Sequence, residues 1–237
     1  MLELLWFSKA ILPGFIFNFF LEKLLLQFWE VASVEEKTSI ELLRDSERGV
    51  ILESIFRGVP LKKILEVGCG CGQNFWFLKR LLPNTPLTGV ERDKSLFVEG
   101  ERLVNQLKLK NINFVPATPT NKLPFEDKSF DLSYTCAALL YTDAHQIEFV
   151  IAEMIRVTKF RIVLLEQHKV DPGYSEQNLG VWVSKLNGSG GYWIRDYEKL
   201  LSKFVQVKSV KMSKVKKPRF LGESWQETAF LIEAELS

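Results

Sequence analysis

Eleven residues, Ile64-Leu-Glu-Val-Gly-Cys-Gly-Cys-Gly-Gln-Asn74, constrain this chain more than any other stretch. An apolar run ends with an acid near its close, glycines alternate at 68, 70 and 72, and a helical pattern follows. Read physically, a buried parallel strand turns abruptly into a helix through a loop with almost no side chains. Such a loop lets backbone N–H groups and a helix N-terminus approach a ligand closely. The nucleotide fingerprint for a pyrophosphate is G-x-G-x-x-G. Here the third glycine arrives one residue early, and Gln73 stands where that fingerprint wants glycine. Glu66 adds a carboxylate suited to an ammonium or a hydroxyl rather than to a phosphate.

Beyond this loop, apolar β-type runs alternate with helical patterns. The pattern predicts strands at 64–67, 87–90, 112–115, 131–135 and 161–165. Helix faces fall between them, at Phe75, Leu78 and Leu81, at Leu96, Leu103 and Leu107, and at Ile147, Val150, Met154 and Val157. A helix is also expected over Glu47–Phe56, ended by Gly58 and Pro60. Alternation of this kind implies a parallel sheet with helices on both faces and ligands at the strand C-termini. The tail changes character, with strand patterns over 204–215 and 228–234 around a Gly222 turn region.

With 237 residues, the chain fits one domain and a modest extension. We divide it into an apolar helical extension, 1–45, and a main domain, 46–237. A net charge of +2 gives no basic field for nucleic acid. Three cysteines cannot all pair, so Cys69 and Cys71 read as small loop residues in a reducing, cytoplasmic compartment. No cluster of His and Cys has metal-ligand spacing, and no metal is expected.

Glu91 ends the second strand about 20 residues past the glycine loop, where a carboxylate accepts ribose hydroxyls or caps the next helix. Leu123-Pro-Phe-Glu-Asp-Lys-Ser-Phe-Asp131 precedes the fourth strand, and Met154-Ile-Arg-Val157 precedes the fifth. In this order the segments resemble the motifs of class I S-adenosylmethionine-dependent methyltransferases, specifically small-molecule, type 11-like members. The resemblance covers roughly residues 45–166 and, more loosely, the tail. It implies an α/β, Rossmann-like seven-stranded sheet of order 3-2-1-4-5-7-6, mostly parallel with a C-terminal antiparallel hairpin. The cofactor it implies is S-adenosyl-L-methionine, contacted by Glu66, Gly68, Cys69, Gly70, Gly72, Asn74, Glu91, Arg92, Tyr134 and Thr135. Adenine contacts fall to Thr118 or Thr120, because Ala117-Thr-Pro-Thr120 replaces the family's usual acid. The usual Pro-Gly-Gly turn before the fifth strand is replaced by Thr158-Lys-Phe160.

The activity implied is methyl transfer to a small-molecule or lipid- or glycan-linked acceptor. A non-catalytic cofactor-binding or scaffold protein is the alternative, and a nicotinamide oxidoreductase a weaker one that the displaced glycine opposes. No Asn/Asp-Pro-Pro-Tyr follows strand four, which removes the signal for methylating amino groups of nucleic-acid bases. His168, after the fifth strand, is the favoured general base, with His145 and Tyr141 as the other catalytic candidates. The segment 169–196, with Tyr174, Trp182, Tyr192 and Trp193 around Gly188-Ser-Gly-Gly191, reads as an active-site lid, and Arg195 as a partner for an anionic acceptor. Cations over 208–219 alternate with apolar residues, as on a lysine-studded edge strand or a patch for anionic lipid or phosphate.

Residues 1–30 are rich in Phe and Trp, and from Phe20 onward the period is helical. Ala10–Leu21 is shorter than the ~20 residues a span needs, and Pro13-Gly14 interrupts it. Two readings stay open for this segment: packing on the core or in a homodimer contact, and peripheral contact with a membrane. Monomer and homodimer are both compatible with the chain.

Overall fold

Strand residues 162–165 alternate between two cores: Val163 and Leu165 pack into one, Ile162 and Leu164 into the other. A strand apolar on both sides belongs inside a sheet covered on both faces. The computed structural model describes residue 54 and residues 61–106, 108–118, 121–169, 180–184, 191–215, 225 and 227–237. Contacts divide the chain into Met1–Leu42 and Leu43–Ser237, and every described residue belongs to the second unit. The expected helices at 20–28 and 47–56 and the connector at 31–45 lie outside the described residues, Ser54 excepted.

The elements are β1 (Ile64–Val67), α1 (Gln73–Leu81), β2 (Leu87–Glu91), α2 (Lys94–Gln106), β3 (Ile112–Pro116) and β4 (Phe130–Cys136). A 3-10 turn (Leu139–Tyr141) leads to α3 (Ile147–Val157) and β5 (Thr158–Gln167). Then come β6 (Gly180–Ser184), β7 (Gly191–Arg195), α4 (Tyr197–Ser202), β8 (Val207–Lys214) and β9 (Ala229–Leu236). Seven strands form one sheet of order β3-β2-β1-β4-β5-β9-β8. The first five are parallel, whereas β9 runs antiparallel to both β5 and β8. With β8 and β9 as the sixth and seventh strands of this sheet, the order is the expected 3-2-1-4-5-7-6. β8 is the edge, and Lys208, Lys211 and Lys214 are exposed on it.

Helix faces cover the sheet where the spacing puts apolar residues. On α3, Ile147, Val150, Ile151, Met154 and Ile155 are buried, the i, i+3, i+4, i+7, i+8 stripe of an amphipathic helix. Burying each such side chain stabilises the fold by about 1.5–3 kcal/mol. Phe75 and Leu78 of α1 join the core that holds Val163, while Leu200 and Leu201 of α4 join the α3 core.

Two local features depart from the expectation. Where the family turn is missing, α3 passes straight into β5: Thr158 is already extended, and its hydroxyl donates to the Met154 carbonyl (2.6 Å). Hence β5 starts at Thr158 rather than at Arg161. The segment read as a lid contains a separate antiparallel pair, β6–β7, joined to the main sheet region by a bridge between His168 and Arg195.

The family-like stretch at 123–131 has structural work to do. The Asp131 carboxylate accepts the N–H groups of Lys62 (2.6 Å) and Lys63 (3.0 Å), fixing the start of β1 beside β4. Arg156 of α3 donates to the carbonyls of Leu123 (3.0 Å) and Phe125 (2.8 Å) and pairs with Glu153 and Asp127. Glu153 in turn accepts the Leu123 N–H (2.8 Å). Replacing Arg156 by Ala leaves two carbonyls without their donor and the buried Glu153 carboxylate without its counter-charge, so Arg156→Ala should cost about 2–4 kcal/mol in urea unfolding. Arg156→Lys should recover less than half of that, because an ammonium cannot reproduce the guanidinium fork.

Candidate functional site

At the C-terminal ends of the parallel strands the chain leaves β1 toward β2 and β3 on one side, while β4 and β5 lie on the other. Crevices open at such switch points. The glycine loop occupies this one, and its three glycines all have positive φ: 73° at Gly68, 55° at Gly70 and 80° at Gly72. They are needed for different reasons. A Cβ on Gly68 would sit 2.4 Å from the Ala138 Cβ, and one on Gly72 would sit 2.7 Å from the Phe114 ring. A Cβ on Gly70 would meet nothing within 4 Å. Gly70 instead borders a cavity of about 330 Å³, within the small end of the size range for small-molecule pockets.

The loop's N–H groups are largely committed inside the protein. Gly68 and Cys69 donate to the Val90 carbonyl (2.9 and 3.1 Å), Gly72 to the Cys69 carbonyl (2.9 Å), and Gly70 to Glu91 Oε2 (2.9 Å). Glu91 also accepts the N–H groups of Arg92 and Asp93 at Oε1, both at 2.8 Å. A carboxylate has about four acceptor sites, so three N–H bonds leave room for one hydroxyl rather than two. The cap of α2 is Asp93, not Glu91: its Oδ1 accepts from the Ser95 N–H (2.8 Å) and hydroxyl (2.5 Å). Those Ser95 bonds hold the Asp93 carboxyl below its ordinary value.

Of the residues expected to hold cofactor, Gly68, Gly70, Glu91, Arg92 and Thr118 line the cavity. Glu66, Cys69, Gly72, Asn74, Tyr134 and Thr135 do not, and Thr120 lies outside the described residues. Glu66 is buried, taking hydrogen bonds from Asn74 Nδ2 (2.6 Å) and the Tyr134 hydroxyl (2.7 Å), so it ties β1 to α1 and β4. Burial and then the Glu66 charge push the Tyr134 phenol well up, and burial does the same to the Cys69 thiol. Neither is an ionised nucleophile at neutral pH. The Thr135 hydroxyl donates to Glu166 (2.9 Å).

The three catalytic candidates stand apart. Tyr141 lines the cavity and is 48% exposed, and burial of part of its ring, followed by the Glu166 charge, raises its phenol. His145 is exposed in the turn before α3, whose N-cap is Gln146. His168 is buried away from the lining residues: its Nδ1 accepts the Tyr197 N–H (3.1 Å), and its ring stands edge-on to Phe230 at 5.1 Å. Arg195, read from sequence as a partner for an anionic acceptor, is fully buried and committed to the carbonyls of Leu139 and Thr142.

Sequence reasoning missed Phe149, which lines the cavity and is 40% exposed. Its signal was a large aromatic off the apolar stripe of α3, where a solvated residue belongs. Leu96, Ala138, Leu139 and Val150 complete an apolar lining, and they looked like ordinary core positions.

Strand order and crevice define a class I methyltransferase fold. Residues 64–160 match the family described as a methyltransferase domain. No curated protein matches the sequence. Among solved structures, a SAM-dependent methyltransferase from Aquifex aeolicus is 14% identical, with a TM-score of 0.54 over 89% of this chain and 97% of its own. The geranyl diphosphate C-methyltransferase of Streptomyces coelicolor A3(2), solved with Mg2+, geranyl diphosphate and S-adenosyl-L-homocysteine, is 16% identical, with a TM-score of 0.62 over 87% and 85%. The cyclase SpnF shares the fold at 16% identity and a TM-score of 0.57, over 87% of this chain and 83% of its own. At such identities the likeness is one of fold.

Two measurements follow from this geometry. Gly68→Ala should cost about 2–4 kcal/mol through its clash with Ala138, while Gly70→Ala should cost about 1–2 kcal/mol in backbone strain alone. Melting curves of the two variants check the contrast. For His168, burial depresses the imidazole against the pull of Asp196 and Glu198. The unfolded chain takes up its proton near ~6.5, above the folded value. Stability from this group is therefore present above that pH and lost as pH falls through it. The stability advantage of the unaltered protein over His168→Gln should shrink between roughly pH 8 and pH 5 in urea titrations.

Proposed function

We propose that the chain transfers a methyl group from S-adenosyl-L-methionine to a small-molecule or lipid- or glycan-linked acceptor. The observation that carries this is the cavity running from Gly70 and Glu91 to Tyr141 and Phe149. Its fit to the cofactor rests on the open side of Gly70, where a ligand atom takes the place a Cβ would fill. Bound there, S-adenosylmethionine supplies a methyl group on a cationic sulfur, open to in-line attack.

The chain's residues divide the remaining tasks. Glu91 accepts a ribose hydroxyl at its last acceptor position, and Arg92, Leu96 and Thr118 flank the adenine. Charged lining residues are Glu91, Asp93 and Glu153 against Arg92, a balance that suits a cation. The Glu153 charge is met by Arg156, so the acids near Gly70 dominate. A nicotinamide cofactor brings a dianionic pyrophosphate to the glycine loop, where Gly68, Cys69, Gly70 and Gly72 already have acceptors for their N–H groups. Tyr141 is a neutral phenol, a donor that orients the acceptor rather than a base that takes its proton. Its neighbour in this role is Phe149, an apolar face for the acceptor body. His168 keeps the β5–α4 junction in place.

We assign residues 46–237 to the methyltransferase domain and 1–45 to an apolar extension. The three cysteines form no disulfide, which supports a cytoplasmic setting. Among the described residues, no helix is long and apolar enough to cross a membrane. Contact of residues 1–30 with a membrane surface rests on their aromatic sequence, and vesicle sedimentation of the full chain against one starting at Ala32 tests it.

Calorimetry with S-adenosylhomocysteine and with NADH tests the cofactor reading. The expected result is binding of the first alone, weakened by about 1–3 kcal/mol in Glu91→Ala. Binding of NADH without S-adenosylhomocysteine contradicts the reading. Incubating cell extract with the enzyme and methyl-deuterated cofactor identifies the acceptor as the molecule that gains the label. No label transfer despite cofactor binding favours the non-catalytic alternative.

A further inference from the structure

The segment Ala138–Thr142 forms one wall of the cavity, with Ala138, Leu139, Tyr141 and Thr142 all on its lining. It is one 3-10 turn with no side-chain cap at its start. Short turns of this kind have poor hydrogen-bond geometry and depend on their surroundings. What holds this one lies behind the wall.

Glu166, at the end of β5, is fully buried. Its Oε1 accepts the N–H groups of Ala138 and Leu139, both at 3.0 Å, along with the Thr135 hydroxyl. Arg195, the last residue of β7, is fully buried too. Its Nη1 donates to the Leu139 carbonyl (2.8 Å) and its Nη2 to the Thr142 carbonyl. The carboxylate therefore accepts N–H groups at the start of the segment, while the guanidinium donates to carbonyls at Leu139 and at its end, Thr142.

Burying two charges is a poor way to gain stability alone, since apolar side chains of similar size do as well or better. Nor does the pair satisfy itself: Glu166 Oε2 and Arg195 Nε have no hydrogen-bond partner among the described residues. Among the described residues, the hydrogen bonds of both charges go to Ala138–Thr142 and to Thr135 just before it. We infer that Glu166 and Arg195 are positioning residues, which act through Ala138–Thr142 to set where Leu139 and Tyr141 stand on the cavity wall. This rests on the reading of the cavity as the cofactor site, and it gives a role to two buried ions that the methyl-transfer chemistry does not use.

The test compares Glu166→Leu, Glu166→Gln, Arg195→Met and Arg195→Lys with the unaltered full chain. S-adenosylhomocysteine affinity is measured by calorimetry, and amide exchange over 138–142 by mass spectrometry without ligand. Glu166→Leu and Arg195→Met should speed exchange of the segment and weaken binding, each by about ten-fold or more, as expected for loss of charge-assisted hydrogen bonds. Glu166→Gln keeps an acceptor oxygen and should stay within about three-fold of the unaltered protein, a rescue that a purely ionic role would not allow. The double variant Glu166→Leu/Arg195→Met should lose little beyond either single one, because both act through one segment. Arg161→Met, which breaks the pairing with Glu235 near the other end of β5, controls for general destabilisation and should leave affinity unchanged.

Should the Leu and Met variants fail to fold, Arg195→Lys decides. A single ammonium reaches one carbonyl poorly, so segment exchange and binding should both change, and unchanged values overturn the inference. It is also overturned if folded Glu166→Leu and Arg195→Met bind as tightly as the unaltered protein, or if Arg161→Met weakens binding equally. Absence of binding already in the unaltered protein would overturn the cofactor reading and this inference with it. Normal binding by the unaltered protein and by every variant would overturn the inference alone.

Discussion

Gly68 comes so close to Ala138 that a single methyl group on it would collide, and the functional edge of the sheet depends on that approach. β1 and β4 are hydrogen-bonded neighbours, yet the chain visits β2 and β3 between them. The loops leaving these two strands must therefore diverge at their start, one toward α1 and the other toward α3. Where they part, the space between them becomes the cavity. The buried Glu66 carboxylate reinforces the same junction, joining β1 to Tyr134 of β4 and to Asn74 of α1. A residue with a side chain at 68 would push the two loops apart and change the shape of everything built on them.

Around that junction the charges are arranged in layers. Glu91 faces the cavity and gathers three backbone N–H groups from the glycine loop and the start of the β2–α2 turn. Glu66 lies behind the loop and serves packing. Glu166 lies behind the opposite wall, where burial raises its carboxyl despite the N–H groups of Leu139 and Ala138 and the nearby Arg195. Three glutamates at the ends of three parallel strands thus have three different surroundings. Of the three, Glu91 alone lines the cavity, because β2 ends next to the open side of Gly70.

Much of this was legible in the sequence, and what was not has definite physical reasons. Apolar runs and helical stripes gave the strands and the helices because burial on both faces leaves little else for a parallel strand to be. Which way Glu66 points is not written in such a run, since both faces of β1 are covered and alternation carries no preference. His168 looked catalytic because it follows β5, but its Nδ1 partner is a backbone N–H 29 residues further on, a contact set by how α4 packs. Val181-Trp-Val183 and Tyr192-Trp-Ile194 have the β-branched and aromatic composition of strands, yet with Gly188-Ser-Gly-Gly191 between them the segment reads as a lid. Arg195 shows the opposite case. A lone arginine among aromatics suggested an anionic ligand, whereas the fold buries it against carbonyls of a turn more than 50 residues earlier.

In the proposed function, the crevice beside Gly70 and Glu91 receives the adenosyl cofactor. A crystal structure with S-adenosylhomocysteine tests it most directly. A ribose hydroxyl should lie within about 2.6–3.2 Å of a Glu91 carboxylate oxygen, with the ligand crossing the open side of Gly70 and the adenine near Leu96 and Thr118. Ligand bound elsewhere, or in this crevice with Glu91 still engaged only by backbone N–H groups, would contradict it.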